Sequence, residues 1–206
     1  MNRFVLKAPY PPSGDQPAAI ESLARGVLEG KRDQVLLGVT GSGKTQVYIR
    51  LIRQVLDRGR TAIVLVPEIA LTPQLLRSFT AQFGDAVAVL HSSLRAGERY
   101  DEWKRLRTGK ARVAIGTRSA VFAPLKDLGL VILDEEQEAT YKSENVPKYH
   151  ARDVAKYRCA KGGGLLVLGS ATPSVETMYL AKTGVYHMVS LTRRYNERAL
   201  PRVYIT

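Results

Sequence analysis

The sequence predicts an α/β fold, a mostly parallel sheet covered by helices on both faces, and three observations carry that expectation. Short apolar runs at 35–37, 61–66, 86–91, 111–116, 130–133, 165–168 and 187–191 read as strands. Segments with helical periodicity separate most of them, which makes right-handed helical crossovers between parallel strands the natural connection. Between the first strand and the helix after it lies Gly38-Val39-Thr40-Gly41-Ser42-Gly43-Lys44-Thr45, which fills every fixed position of the phosphate-loop pattern G-x-x-x-x-G-K-[ST].

The first 13 residues are irregular and proline-marked; Phe4 and Tyr10 there fit either edge packing or a lid that stacks on a base. Asp15 is a good N-cap and Pro17 suits a first turn, with Ile20, Leu23, Ala24, Val27 and Leu28 on one face before Gly30. A helix over 45–56 buries Val47, Tyr48, Leu51, Ile52, Val55 and Leu56 and turns Arg50 and Arg53 outward. Thr72-Pro73 opens the next helix, with Leu75, Leu76, Phe79 and Phe83 as its buried face. A helix over 97–107 places Tyr100, Trp103 and Leu106 on one side. A helix follows over 150–159, and Thr172-Pro173 opens another. Residues 193–206 lose periodicity and read as a tail. The expected organisation is a leading segment over 1–34, a nucleotide-binding lobe over 35–192, and the tail.

Composition bounds the function. A formal charge of +12 suits a polyanionic partner such as nucleic acid, and equally a merely soluble basic surface. The single cysteine, Cys159, excludes an intrachain disulfide and a C-x-x-C motif within these residues and reads as inert packing in a reducing compartment. No apolar run approaches the roughly 18 residues of a membrane span, and the N-terminus lacks an apolar signal core, so a cytoplasmic, monomeric lobe without membrane contact is expected.

The glycines of the phosphate loop let the backbone turn tightly and aim its N–H groups, with a helix N-terminus behind them, at an anion. Gly38, Val39, Thr40, Gly41, Ser42, Gly43, Lys44 and Thr45 are therefore the candidate ATP-binding residues, Lys44 reaching the β- and γ-phosphates and Thr45 ligating Mg²⁺. An acidic partner is needed at the end of another parallel strand, and Val131-Ile132-Leu133-Asp134-Glu135-Glu136-Gln137 supplies it. Asp134 is the candidate Mg²⁺ ligand and Glu135 the group that orients and deprotonates water. Gly169-Ser170-Ala171-Thr172-Pro173 ends a further strand with two hydroxyls, which fits an N-cap at Thr172 or a coupling element. Gln16 could meet an adenine edge with its amide.

Taken together, the phosphate loop, Asp134-Glu135-Glu136-Gln137 and Ser170-Ala171-Thr172 resemble the first RecA-like lobe of superfamily-2 helicases. Longer strings, Val66-Pro67-Glu68-Ile69-Ala70-Leu71-Thr72-Pro73-Gln74, Gly116-Thr117-Arg118-Ser119-Ala120-Val121-Phe122-Ala123-Pro124-Leu125 and Gly169-Ser170-Ala171-Thr172-Pro173-Ser174, are similar to the PriA family of replication-restart helicases. That resemblance implies a 3′→5′ DNA helicase that hydrolyses ATP, with single-stranded or forked DNA, single-strand-binding protein and primosome proteins as partners of the full-length parent. It implies coupling roles for Ser170 and Thr172 and a strand-facing role for Pro67, Thr117, Arg118 and Ser119. The segment carrying Lys142, Lys148 and Tyr149 resembles the family's aromatic-rich loop, which couples DNA binding to hydrolysis and where interleaved aromatic and basic residues suit stacking and phosphate contact.

Two departures stand out. Gln137 occupies the place where the family usually has histidine, which puts coupling rather than hydrolysis in question. Residues 4–38, with Ala8-Pro9-Tyr10 and Ser13-Gly14-Asp15-Gln16-Pro17, resemble the start of the UvrB family of excision-repair subunits, which implies Gln16 as the adenine contact and Tyr10 as its stacking partner. Two further readings stay open at this point, a nucleotide- and DNA-binding module without turnover and an excision-repair helicase fragment.

Overall fold

A computed structural model describes residues 13–39 and 41–192; Phe4, Tyr10, Thr40 and the expected tail lie outside the described residues. Among the described residues the strands are β1 (Asp33–Gly38), β2 (Thr61–Leu65), β3 (Val87–Leu90), β4 (Val113–Gly116), β5 (Leu128–Asp134), β6 (Leu165–Ser170) and β7 (His187–Leu191). They form one sheet in the order β3-β4-β2-β5-β6-β1-β7, and every neighbouring pair is parallel. The helices are α1 (Gln16–Leu28), α2 (Lys44–Asp57), α3 (Pro73–Phe83), α4 (Ala96–Arg107), α5 (Ala151–Gly162) and α6 (Val175–Lys182).

Successive strand side chains point to opposite faces, so each strand feeds two cores. Leu36, Val64, Ile115, Ile132 and Val167 pack under α1, α2 and α3, with Leu23, Val47, Ile52 and Phe79. Val35, Ile63, Ala114, Val131 and Leu166 pack under the opposite layer, with Ala155 and Cys159 of α5 and Leu106 of α4. Both faces are covered, which is why the strands read as continuous apolar runs rather than alternating ones. The register sets Asp134 beside Gly169 and Ser170 beside Leu37, so β6 carries its polar end between the phosphate-loop strand and the acidic strand.

Edge strand β3 is closed by side chains rather than by another strand. Glu102 of α4 accepts from the Val89 N–H at 3.0 Å, and Arg105 donates to the carbonyls of Asp85 at 2.7 Å and Val87 at 3.1 Å. Glu102 and Arg105 hold each other at 2.6 Å. An edge that would otherwise offer unpaired backbone groups to a second chain is thereby satisfied.

Several local expectations change. Arg53 does not point outward: it is buried, with its guanidinium 5.4 Å from the centre of the Phe83 ring and donating to the Gln82 carbonyl at 3.1 Å. Tyr100 and Trp103 are 67% and 42% exposed, and of that trio Leu106 alone enters the core. Asp15 precedes α1 without a side-chain capping bond; its carboxylate instead accepts from Thr192 N at 2.8 Å and Thr192 Oγ1 at 2.7 Å, tying the start of α1 to the end of β7. Thr72 caps α3 through Leu75 N, but Thr172 caps nothing: α6 starts at Val175, behind Ser174, whose Oγ accepts from Thr177 N.

Candidate nucleotide-binding site

Gly38 ends β1, and the loop behind it turns through two glycines in the left-handed region, Gly41 at φ +82° and Gly43 at φ +84°. A side chain at Gly43 is excluded twice, by that φ and by space, because its Cβ would lie 2.1 Å from Gln16 Nε2. Gln16 is buried and donates to the Ser42 carbonyl at 3.1 Å; its Oε1 has no partner among the described residues. The structure thus places Gln16 against the loop backbone as a strut between α1 and the loop. Gly41 faces open space, with nothing within 4 Å of an added Cβ.

Lys44 opens α2, and its Nζ lies 3.3 Å from the Gly38 carbonyl and 3.2 Å from Glu135 Oε1. Thr45 follows in the same first turn, half-buried. The lysine therefore spans from the phosphate loop to the acidic turn, and the loop, its N–H groups and an ammonium balanced by a carboxylate suit a nucleotide phosphate.

Asp134 ends β5 with Oδ1 accepting from Tyr48 Oη at 2.7 Å. Burial pushes the Asp134 carboxyl above the usual aspartate range, against the lowering effects of the Tyr48 hydrogen bond and Lys44. Burial also holds the Tyr48 phenol well above its ordinary value, with Asp134 adding to the effect, so Tyr48 is the proton donor. Tyr48 reaches Asp134 by crossing Gly169, where an added Cβ would come 1.8 Å from the hydroxyl. The next residue, Glu135, sits at φ +48°, a conformation that costs a non-glycine residue on the order of 1 kcal/mol or more and recurs at functional turns.

A hydrogen-bonded chain runs on from that turn. Gln137 Nε2 donates to Glu135 Oε2 at 3.2 Å, Ser170 Oγ donates to Gln137 Oε1 at 2.6 Å, and Ser170 Oγ accepts from Thr172 N at 2.8 Å. One amide offers a donor and an acceptor together, so Gln137 spans from carboxylate to hydroxyl. Ser170 takes part through its side chain and Thr172 through its backbone.

Sequence reasoning missed the role of Glu136. Its side chain is fully buried, accepts from Ser174 N at 2.7 Å, Ser174 Oγ at 3.3 Å and Thr177 Oγ1 at 3.1 Å, and lies 3.5 Å from Arg152. This carboxylate fastens α5 and the start of α6 to the acidic turn. The partners come from α5 and the start of α6, distant in the chain, so nothing in the local sequence announces them.

Pro67, Thr117, Arg118, Ser119 and Lys142 line a separate cleft of about 530 Å³ at the carboxyl ends of β2 and β4. Arg118 donates to the carbonyls of Thr140 at 3.2 Å and Lys142 at 2.5 Å and lies 5.8 Å from the centre of the Tyr149 ring. Tyr149 meets Phe122 edge-on at 4.9 Å. Lys148 is exposed and, like Tyr149, is not a lining residue. Tyr141, on the cleft floor, shares its hydroxyl proton between the carbonyls of Leu65 at 3.0 Å and Asp134 at 2.7 Å, joining the cleft to the acidic strand. Among the described residues no group of three or more His, Cys, Asp or Glu is arranged to hold a metal, and no helix is long and apolar enough to cross a membrane.

Comparison with known proteins agrees with this geometry. The family described as DEAD/DEAH box helicase matches residues 13–180. The replication restart protein PriA of Bacillus subtilis is 48% identical over 202 residues, which are 97% of this chain and 25% of that protein. PriA of Treponema pallidum is 50% identical over 196 residues, 95% of this chain and 30% of that protein. The chain thus spans about a quarter of the length of these relatives. A match over 202 residues runs through most of the stretch that resembles UvrB, so one family accounts for both parts of the chain. Among solved structures, RecG bound to a three-way DNA junction superposes with a TM-score of 0.65 at 25% identity, covering 89% of this chain and 24% of that one. The chain belongs to the DEAD/DEAH box helicase family, as a RecA-like, ATP-binding lobe.

Proposed function

We propose that this chain is the nucleotide-binding lobe of a 3′→5′ DNA helicase of the replication-restart type, whose full-length form hydrolyses ATP to move along single-stranded or forked DNA. The observation that carries the proposal is the unbroken polar chain from Lys44 through Glu135 and Gln137 to Ser170, which links the phosphate loop to the coupling strand. Similarity to proteins named for replication restart supports the biological setting, with single-strand-binding protein and primosome proteins as partners of the parent. A membrane has no part in the proposal, and the lobe acts as a monomer in the cytoplasm.

In this mechanism Lys44 exchanges Glu135 for the β- and γ-phosphate oxygens of ATP, and the carboxylate so released takes the proton of the attacking water. Gln137 keeps Glu135 oriented while it does so. A magnesium ion held by Asp134 and Thr45 supplies charge neutralisation at the phosphate oxygens when bound; such sites combine one or two carboxylates with substrate phosphate rather than a full protein cage. Gln16 and Tyr10 form the adenine side, and Gly38 to Gly43 hold the phosphates. Ser170 and Thr172 pass the state of the nucleotide to the cleft, where Pro67, Thr117, Arg118, Ser119 and Lys142 hold the strand, with Lys148 and Tyr149 meeting it outside the cleft. A second lobe of the parent supplies the arginine finger, worth roughly 10³–10⁵ in rate in motors that use one.

The test measures ATP binding by this chain and ATPase turnover by the full-length parent, with and without single-stranded DNA. Glu135→Gln is expected to retain ATP binding and lose DNA-stimulated turnover. Stimulated turnover that persists in Glu135→Gln overturns the proposal, and ATP binding without DNA-dependent turnover in the unaltered parent assigns the chain to a non-catalytic binding module.

A further inference from the structure

We propose that the outer face of α4 is a stacking platform for single-stranded nucleic acid leaving the cleft, an extension that rests on the strand-binding role given to the cleft above. Tyr100, Trp103, Lys104 and Arg107 fall at positions i, i+3, i+4 and i+7, one face of a helix, and all four are exposed. None of the four belongs to the buried core: α4 is anchored by Leu106 in the core and by Glu102 and Arg105 on the β3 edge. Tyr100 is 67% exposed and Trp103 42%, neighbours on one helix face, and a contiguous aromatic patch of this kind marks an interaction surface.

Charge selects the occupant. Arg99, Lys104 and Arg107 share α4 with the rings and Lys110 follows it, all exposed, against Asp101 and Glu98 on the same helix, and Glu98 is engaged by the Arg95 N–H at 2.8 Å. Aromatic rings interleaved with cations suit bases to stack and phosphates to pair, without sequence preference. Continuity sets the path. Arg99 donates to the carbonyls of Ser92 at 3.2 Å and Leu94 at 3.3 Å, and Ser92 lines the same cleft as Thr117 and Arg118. A strand that follows the cleft past Ser92 meets the first turn of α4 and then Tyr100. From Tyr100 to Arg107 the helix rises about 10 Å, room for roughly three stacked nucleotides.

Trp103 is the single tryptophan of the chain, so its fluorescence reports this face alone. The experiment titrates the chain with a fluorescein-labelled twenty-nucleotide oligothymidine, reading labelled-strand anisotropy, and repeats the titration with unlabelled strand to read Trp103 emission. Saturable quenching of Trp103 that tracks the anisotropy is expected. Tyr100→Ala should weaken binding about tenfold, one stacked base. Lys104→Ala with Arg107→Ala should flatten the slope of log affinity against log salt by about 1.4. Circular dichroism of each variant checks that the fold is retained, and Trp103→Phe, which keeps a ring, should bind better than Trp103→Ala.

Binding that leaves Trp103 emission unchanged and is insensitive to the α4 substitutions, while Arg118→Ala weakens it, overturns the platform and leaves the cleft standing. Absence of any strand binding overturns both. Self-association in sedimentation that Trp103→Ala relieves, with strand affinity intact, reassigns the face to a protein contact and also overturns it.

Discussion

Removing the Glu136 carboxylate should be among the most damaging single changes available outside the nucleotide contacts. The side chain is fully buried and meets the Arg152 guanidinium, the Ser174 N–H and two hydroxyls. Glu136→Ala leaves a mostly buried cation and the backbone donor of Ser174 without their acceptor. Breaking a buried ion pair from one side costs roughly 3–5 kcal/mol, and Arg152, 24% exposed, recovers part of that from water, so the low end applies, about 3 kcal/mol. For a domain of this size each kcal/mol moves Tm by about 2–4 °C, giving a fall of about 6–12 °C in a circular-dichroism melt. Glu136→Gln keeps the shape and one acceptor oxygen and should fall between the unaltered protein and Glu136→Ala. The arginine supplies the decisive control: Arg152→Ala in the Glu136→Ala background should cost much less than Arg152→Ala alone, because the orphaned charge is gone. Strictly additive effects, or a loss under about 0.5 kcal/mol in Glu136→Ala, would refute the picture of a buried hub.

Three further outcomes follow from single sites. Gly169→Ala drives a Cβ into the Tyr48 hydroxyl and should cost about 1–3 kcal/mol in urea denaturation, and Tyr48→Phe should relieve part of that loss in the double variant; equal losses with and without the hydroxyl contradict the clash. Cys159 is buried and its thiol is pushed up to about 12, so the native protein should resist a disulfide reagent at pH 8 and react fully once unfolded; rapid native labelling contradicts that. Burial lowers the His150 pKa below its ordinary 6.5, and its Nδ1 accepts from Arg152 N as the cap of α5. The unfolded chain then takes up protons that the fold resists, so stability should decline as pH falls below about 6.5, and His150→Asn should keep a capping acceptor while flattening that decline. His187, lowered in the same direction, should leave a residual slope in the variant.

Much of the frame was legible because local rules and tertiary demands agree in it. Continuous apolar strands, helical stripes and a glycine string each have one physical reading, and the seven strands stand where the apolar runs are, with ends shifted by a residue or two. Thr72 and Thr172 show where such reading stops. Both precede proline and look like caps, yet Thr172 N is already satisfied by Ser170 Oγ, and the helix begins three residues later. Arg53 shows a second limit: periodicity places it outside α2, but the Phe83 ring and the Gln82 carbonyl of α3 offer a long cation both packing and an acceptor. Tyr100 and Trp103 show a third, since α4 docks on a sheet edge through Glu102 and Arg105 and turns its aromatic face away. The phosphate loop and acidic turn were readable as motifs, while their convergence on Lys44–Glu135 and the burial of Glu136 depend on β6 lying between β1 and β5, a placement that only the assembled sheet reveals.

The most direct measurement of the central claim is equilibrium binding of ATP to this chain by calorimetry, in magnesium and in chelator, beside the Lys44→Ala variant. Saturable one-to-one binding that requires magnesium and weakens by a hundredfold or more, about 2.7 kcal/mol, in Lys44→Ala is the predicted result. Equal affinity in the two proteins, or in the presence and absence of magnesium, would contradict the assignment of the loop and the acidic turn as one nucleotide site.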